Sequence, residues 1–310
     1  MHVSPRIPRR RPLLLTAALL GISGLALAGC STTGSDPADG RISVVASTDV
    51  YADIASAIGG DLVEVTAIID SENQDPHEYE ATARTQLALS RADVVLENGG
   101  GYDDFVSTLL SAAGNDDATV LDVADISGYD QAPADGEFNE HLWYDFPTMQ
   151  KLADQLVGTL SALDPSGEAA FTANAAVFAA SLDDLEAREA ELAMSYSGEG
   201  AAITEPVPLY LLDAIGLENR TPSEFSEAVE EDTDVPVSVL DETLALFADG
   251  AVRVLVYNEQ TTTSATEQIL AAADDAGVPA VAVRETRPTG SGYLDWMNAD
   301  LDALEAALSA

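Results

Sequence analysis

A long run of helix-forming residues at positions 166–196 constrains the fold of this chain more than any other feature. The run is rich in alanine, leucine and glutamate, and it contains no proline or glycine after Gly167. At 1.5 Å per residue, a helix of about 30 residues is about 45 Å long, which is more than one small domain needs. The run ends at the Ser-Gly-Glu-Gly sequence of residues 197–200. We therefore expect one long rigid helix that joins two lobes.

On both sides of this helix, short apolar and β-branched runs alternate with segments of helical periodicity. Strands are predicted at residues 42–47, 63–69, 93–96 and 119–121 before the helix, and at 201–204, 252–257 and 279–283 after it. Strands that alternate with helices form parallel sheets. The predicted fold class is therefore α/β, with two similar lobes that are each a mainly parallel sheet flanked by helices. The acid-rich stretch 218–234 is assigned no helix or strand.

The N-terminus has the layout of a secretory signal peptide. Four arginines precede an apolar stretch at residues 13–28, which is short for a membrane span of about 20 residues. The stretch ends in Leu-Ala-Gly-Cys at 27–30, which looks like a bacterial lipobox, in which the cysteine is lipidated. Cys30 is the only cysteine, so no intramolecular disulfide can form. We predict a signal peptide at 1–29, a polar tether at 30–40, a first lobe at 41–165, the linking helix at 166–197 and a second lobe at 198–310.

The charge of the chain is strongly negative. Cleavage of the signal peptide would remove four of the 13 basic residues, and the remaining nine would face 54 acidic residues, a formal charge of −45. Nucleic-acid binding requires a basic surface, so this composition excludes it. The acids are spread along the chain, which favours a role in solubility or salt adaptation.

Histidine is scarce, and the two histidines that the mature chain keeps lie beyond predicted strands. These are His77 and His141. Ligands gather outside the carboxyl ends of strands in open α/β sheets, and neutral imidazole binds zinc, iron and manganese. In the second lobe, Glu205 and Glu285 follow predicted strands and could complete such a site. Glu259, which also follows a strand, is a competing candidate.

Several segments, in this order, resemble the metal-binding solute receptors of bacterial ABC importers, the cluster A-I family. They are DPHEYE at 75–80, ADVVLENGGG at 92–101, HLWYD at 141–145, ITEP at 203–206, VYNEQ at 256–260 and ETRPTGSGYLDWM at 285–297. The first and third of these are the most specific. The similarity runs from about residue 42 to the C-terminus.

The resemblance implies a metal site made of His77, His141, Glu205 and Glu285. Glu285 stands where the family usually has aspartate, and the residue before His141 is a glutamate where proline is common. The cargo would be one Mn(II) or Zn(II) ion. Two imidazoles and two carboxylates form a hard donor set that suits manganese, although raw affinity favours zinc.

The resemblance also implies partners and a location. The expected protein is a monomer that a lipid on Cys30 anchors to the extracytoplasmic face of the cell membrane. It would deliver metal to a membrane permease that is driven by an ATPase, and the stiff helix would allow only small movements of the lobes. Two other readings remain open: a metal-dependent adhesin, and a metallohydrolase, which would need an open coordination position that four ligands would close.

Overall fold

The computed structural model describes residues 40–71, 79, 82–134 and 136–310. The predicted signal peptide, Cys30, most of the tether and His77 lie outside the described residues. Among the helices that are described, none has both the length and the apolar character that a membrane span requires.

The first lobe is built on a parallel sheet of four strands. They are β1 (Ile42–Thr48), β2 (Val63–Ile69), β3 (Val94–Glu97) and β4 (Thr119–Asp122). Their order in the sheet is β2-β1-β3-β4, and Val44 of the central strand pairs with Val65 and Val94. The central strands are buried on both faces, as expected for β-branched runs in a parallel sheet.

Five helices flank this sheet. They are α1 (Asp49–Gly59), α2 (Ala83–Leu89), α3 (Phe105–Ala113), α4 (Val123–Ser127) and α5 (Phe146–Leu163). A single turn of 3-10 helix, Leu142–Tyr144, lies one residue before α5, and His141 directly precedes it. A polar loop is predicted at 127–140, and the described residues 128–134 and 136–140, after the end of α4, contain no helix or strand.

The long helix α6 (Glu168–Tyr196) has 29 residues and is about 44 Å long. Its buried positions recur at alternating spacings of three and four residues, which places them on one stripe of the helix. They are Phe171, Ala175, Phe178, Leu182, Leu185, Glu189 and Leu192. The predicted linking helix is therefore present, and Glu189 is the one carboxylate in its apolar stripe.

The second lobe repeats the design of the first. Its strands are β5 (Gly200–Ile203), β6 (Glu218–Asn219), β7 (Val254–Asn258) and β8 (Ala280–Val283). They are all parallel, in the order β6-β5-β7-β8, which matches the order in the first sheet. The helices are α7 (Leu209–Ile215), α8 (Ser223–Glu230), α9 (Val237–Ala248), α10 (Ser264–Ala276) and α11 (Tyr293–Leu308). The prediction of two similar parallel lobes is confirmed.

The stretch 218–234 contains regular secondary structure, so the prediction that it has no helix or strand was wrong. It contains β6 and α8. Phe225 and Val229 lie one helical turn apart on α8, are both buried and pack into the apolar cluster of the second lobe. Two apolar contacts on one face are enough to hold a short helix that is otherwise polar, since tertiary packing outweighs composition.

One apolar cluster runs through both lobes. It contains residues of β1 and β5, of the spine α6 and of the closing helix α11. Tyr293, the first residue of α11, is fully buried, and its hydroxyl donates to the carbonyl of Trp143 in the first lobe (2.7 Å). The carboxyl ends of the two sheets are therefore held at a common junction.

Candidate metal centre

His141 lies at the junction of the lobes and is completely buried. Asn139 holds it twice, because Asn139 Oδ1 accepts from the His141 backbone N–H (3.1 Å) and lies 2.7 Å from the imidazole Nδ1. The amide orientation of Asn139 is consistent with this assignment, since its Nδ2 donates to the carbonyl of Pro206 (3.3 Å). A carbonyl-type oxygen can only accept, so Nδ1 carries a hydrogen and the lone pair of neutral imidazole lies on Nε2. A metal-ligating histidine uses this arrangement, in which one ring nitrogen donates to a fixed acceptor and the other faces the ion.

Glu285 lies just beyond β8 and is also buried, with 7% of its surface exposed. Asn258, the last residue of β7, donates to Oε1 (2.8 Å), and the buried hydroxyl of Tyr102 donates to Oε2 (3.4 Å). Gln260 accepts from the Glu285 backbone N–H (2.7 Å). The carboxylate is thus held by donors from both lobes.

Glu205 follows β5 and is 3% exposed. The threonine before it accepts the backbone N–H of Asn258 (3.0 Å), which ties the ends of β5 and β7 together. The carbonyl of the residue after it, Pro206, accepts from Asn139. The backbone on both sides of Glu205 is therefore held, on one side by the neighbouring strand and on the other by the asparagine that orients His141.

Two further carboxylates lie against His141, and the sequence did not predict either of them as part of the site. Glu230, the last residue of α8, places its Oε1 at 3.3 Å from His141 Nε2. One ligand atom from each of Glu140, His141 and Glu230 can be chosen so that all lie within 4.8 Å of one another. The signal that could have found Glu230 is the pair Phe225 and Val229, whose spacing of four is typical of a short amphipathic helix that would include this residue.

The carboxylates of this cluster hold their protons strongly. Burial, followed by the negative charges of Glu140, Glu205 and Glu285, raises the pKa of Glu230 to about 9. Burial likewise raises the pKa of Glu140 to about 7. A protonated Glu230 can donate to the Nε2 lone pair of His141. A divalent ion that binds here would therefore compete with a proton on Glu230.

The two candidates for the fourth carboxylate lie in different surroundings. Glu285 lies beside Tyr102, whose ring centroid is 6.2 Å from that of His141. Glu259 instead forms an ion pair with Arg284, and about a third of its side chain is exposed. Alternation along β7 explains the difference, since Asn258 faces inward to Glu285 and the next side chain faces outward. The remaining predicted ligand, His77, lies outside the described residues.

Comparison with known proteins assigns the chain to a class, the substrate-binding receptors of ABC importers, which are not enzymes. More specifically, the chain belongs to the family described as the zinc-uptake complex component A, periplasmic, whose family model matches residues 44–307.

Relatives with known names share about a quarter of their residues with this chain. The iron ABC transporter substrate-binding lipoprotein MtsA of Streptococcus pyogenes serotype M1 is 27% identical over 79% of this chain and 81% of its own length. The manganese ABC transporter substrate-binding lipoprotein PsaA of Streptococcus anginosus is 25% identical, over 95% and 98%. Among solved structures, the periplasmic zinc-binding protein TroA from Treponema pallidum superposes with a TM-score of 0.72 at 20% identity, over 87% of this chain and 99% of that one. The last similarity shows a common fold.

Proposed function

We propose that this receptor captures one divalent transition metal ion at the junction of its lobes and delivers it to a membrane permease. One observation carries the proposal: the fully buried His141 has its Nδ1 fixed by Asn139 and its Nε2 turned toward a carboxylate. The charged groups that act most on that carboxylate are themselves carboxylates. A buried site that combines imidazole with several acids is suited to a divalent cation.

The proposed ligands are His77, His141, Glu205 and Glu285. Carboxylate oxygens are hard donors. A set of two carboxylates and two imidazoles therefore suits manganese or iron better than a set with more imidazoles, which would suit zinc. The names of the relatives MtsA and PsaA, for iron and manganese, agree with that preference. We propose manganese as the cargo, with zinc as the competitor.

Metal analysis of protein purified without added metal, followed by titration with Mn(II) and Zn(II), tests the proposal. One ion per chain is expected. His141→Ala should remove measurable binding, Glu205→Ala should weaken it strongly, and Glu285→Ala should weaken it less if water replaces the carboxylate. Glu259→Ala is the matched control, since that glutamate lies at the end of the neighbouring strand and pairs with Arg284. Loss of binding in Glu259→Ala with retention in Glu285→Ala would contradict the proposed set.

We further propose that a lipid on Cys30 holds the receptor at the extracytoplasmic face of the membrane, where it meets its permease and ATPase. The relatives MtsA and PsaA are named as lipoproteins, which supports this location. Cys30→Ala should move the protein from the membrane fraction to the soluble fraction. Retention of the variant in membranes after a carbonate wash would contradict the anchor. Restoration of metal uptake in a receptor-deficient strain by the wild type, and its failure with His141→Ala, would test delivery.

A further inference from the structure

The carboxylate of Glu230 reaches the candidate metal centre from an element that carries none of the four proposed ligands. Glu230 ends α8, and its side chain is 17% exposed. Its Oε1 lies 3.3 Å from His141 Nε2, the ring nitrogen that does not contact Asn139. The same glutamate therefore occupies the immediate surroundings of the proposed cargo.

The local structure of α8 holds Glu230 in this position. Phe225, Ser226 and Val229 are buried along the helix, so α8 is packed against the second lobe. A carboxylate at the C-terminus of a helix faces the negative end of the helix dipole, which is unfavourable. Placing it among other acids adds repulsion. Both effects disfavour the charged form of the carboxylate, and a cation bound at this point would offset them.

The distance between the two atoms fits a pair of ligands to one ion. Ligand bonds of about 2.1 Å at angles between 90° and 109° place neighbouring ligand atoms about 3.0–3.4 Å apart. The observed 3.3 Å falls within that range. The two atoms are therefore already at a separation that one ion can bridge.

We propose that Glu230 is a further protein ligand of the transported metal, added to His77, His141, Glu205 and Glu285. This inference rests on the proposed function. Zinc in protein sites is satisfied by four ligands in a tetrahedron, whereas manganese is suited to octahedral oxygen-rich sites. A fifth side-chain ligand that is a carboxylate therefore contributes to manganese binding more than to zinc binding.

Glu230→Gln tests the inference, with Glu224→Gln as the matched control, because Glu224 is an exposed glutamate on the same helix. Titration should show Mn(II) affinity in Glu230→Gln lowered at least by the 10- to 100-fold that loss of an outer partner of a metal ligand typically causes. Zn(II) affinity should fall less, and Glu224→Gln should match the wild type with both ions.

Visible absorption of Co(II) provides a readout that does not depend on affinity. Wild-type protein should show the weak bands of a five- or six-coordinate ion, and Glu230→Gln should show the stronger bands of a tetrahedral one. Circular dichroism monitors the fold of the variant. If Glu230→Gln is unfolded, the wild-type spectrum alone decides, since intense tetrahedral bands there would overturn the inference.

The outcomes separate this inference from the function on which it rests. Wild-type protein that binds neither Mn(II) nor Zn(II) overturns both. Wild-type binding with equal Mn(II) affinity and an unchanged Co(II) spectrum in Glu230→Gln overturns only the role of Glu230, whose contact with His141 would then belong to the metal-free state alone.

Discussion

At the scale of single residues, the orientation of one imidazole depends on one amide. Asn139 accepts from both the backbone and the ring of His141, and it donates to the carbonyl of Pro206. Tyr210 in turn donates to the Asn139 carbonyl (2.8 Å). Partners of this kind fix the tautomer and the direction of a ligand without touching the ion.

Replacement of Asn139 by alanine should weaken metal binding without changing its stoichiometry. The imidazole would lose the acceptor that keeps the hydrogen on Nδ1, so we expect a loss of about 10- to 100-fold in affinity. Isothermal titration with Mn(II) measures the effect. Asn139→Asp keeps an acceptor oxygen at the same place and should lose less than the alanine variant. Equal affinities in the wild type and Asn139→Ala would show that the ring is oriented by other contacts.

The sequence predicted part of this site for reasons that can be stated. His141, Glu205 and Glu285 were predicted as ligands because each lies just beyond a strand or in a loop near strand ends, where ligands gather in α/β sheets. Glu230 was missed because it lies on a helix whose acid-rich sequence concealed its apolar contacts. The sequence also could not decide between Glu259 and Glu285. The direction of a side chain at a strand end depends on the register of the strand, and a shift of one residue exchanges its two faces.

At the scale of elements, the spine α6 carries an ionisable group within its apolar stripe. Glu189 occupies a position where the rest of the stripe has alanine, leucine and phenylalanine, and it is 5% exposed. Burial, followed by the negative charges of Glu186 and Asp145, raises its pKa to about 8. The native state therefore holds a proton that the unfolded chain releases near its ordinary value of 4.5.

We expect the stability of the protein to fall as pH rises from about 5 to 8.5. Between the unfolded and the native pKa of Glu189, the native state binds more protons than the unfolded state, so each pH unit removes up to about 1.4 kcal/mol. Glu189→Gln should be near neutral at pH 5, where the wild-type side chain is already uncharged, and should reduce the loss at pH 8.5. Urea denaturation at both values measures it. Glu191→Gln, an exposed position on the same helix, is the control, and an equal loss in all three proteins would contradict the assignment.

The closing helix α11 depends on a cap from the other lobe. Gly292 at its N-cap offers no side chain, and Asp53 on α1 instead accepts from the backbone N–H of Tyr293 (2.8 Å). Asp53 also lies 3.7 Å from the guanidinium of Arg287. One carboxylate thus stabilises the start of α11 and binds the first lobe to the second.

Asp53→Ala should lower the free energy of unfolding by about 1–2 kcal/mol, the usual loss when a helix cap is removed. Thermal and urea denaturation measure the change. Asp53→Asn keeps a capping oxygen and should recover most of the stability. If the alanine variant is as stable as the wild type, solvent satisfies this N–H equally well.

At the scale of the whole molecule, the proposed ligands come from both lobes, so a bound ion should stabilise the complete fold. A ligand that binds only the native state adds about 4 kcal/mol at a thousandfold excess over its dissociation constant. Addition of Mn(II) or Zn(II) to metal-free protein should raise its melting temperature by several degrees, while Mg(II) should have little effect. Calorimetry measures the shift, and an unchanged melting curve with both transition metals would count against a metal receptor.

Asn139 connects His141 in the first lobe to Pro206 in the second lobe, so metal binding at His141 and contact between the lobes should affect each other. Coupling free energies are reciprocal. If a bound ion raises the equilibrium constant for contact between the lobes by some factor, separation of the lobes must lower the affinity for the ion by the same factor. A hundredfold change in affinity corresponds to about 3 kcal/mol, which is comparable to the net contribution of a few hydrogen bonds between the lobes. For the proposed receptor, a permease that binds both lobes and separates them would therefore lower the affinity for the metal and release it without a competing ligand.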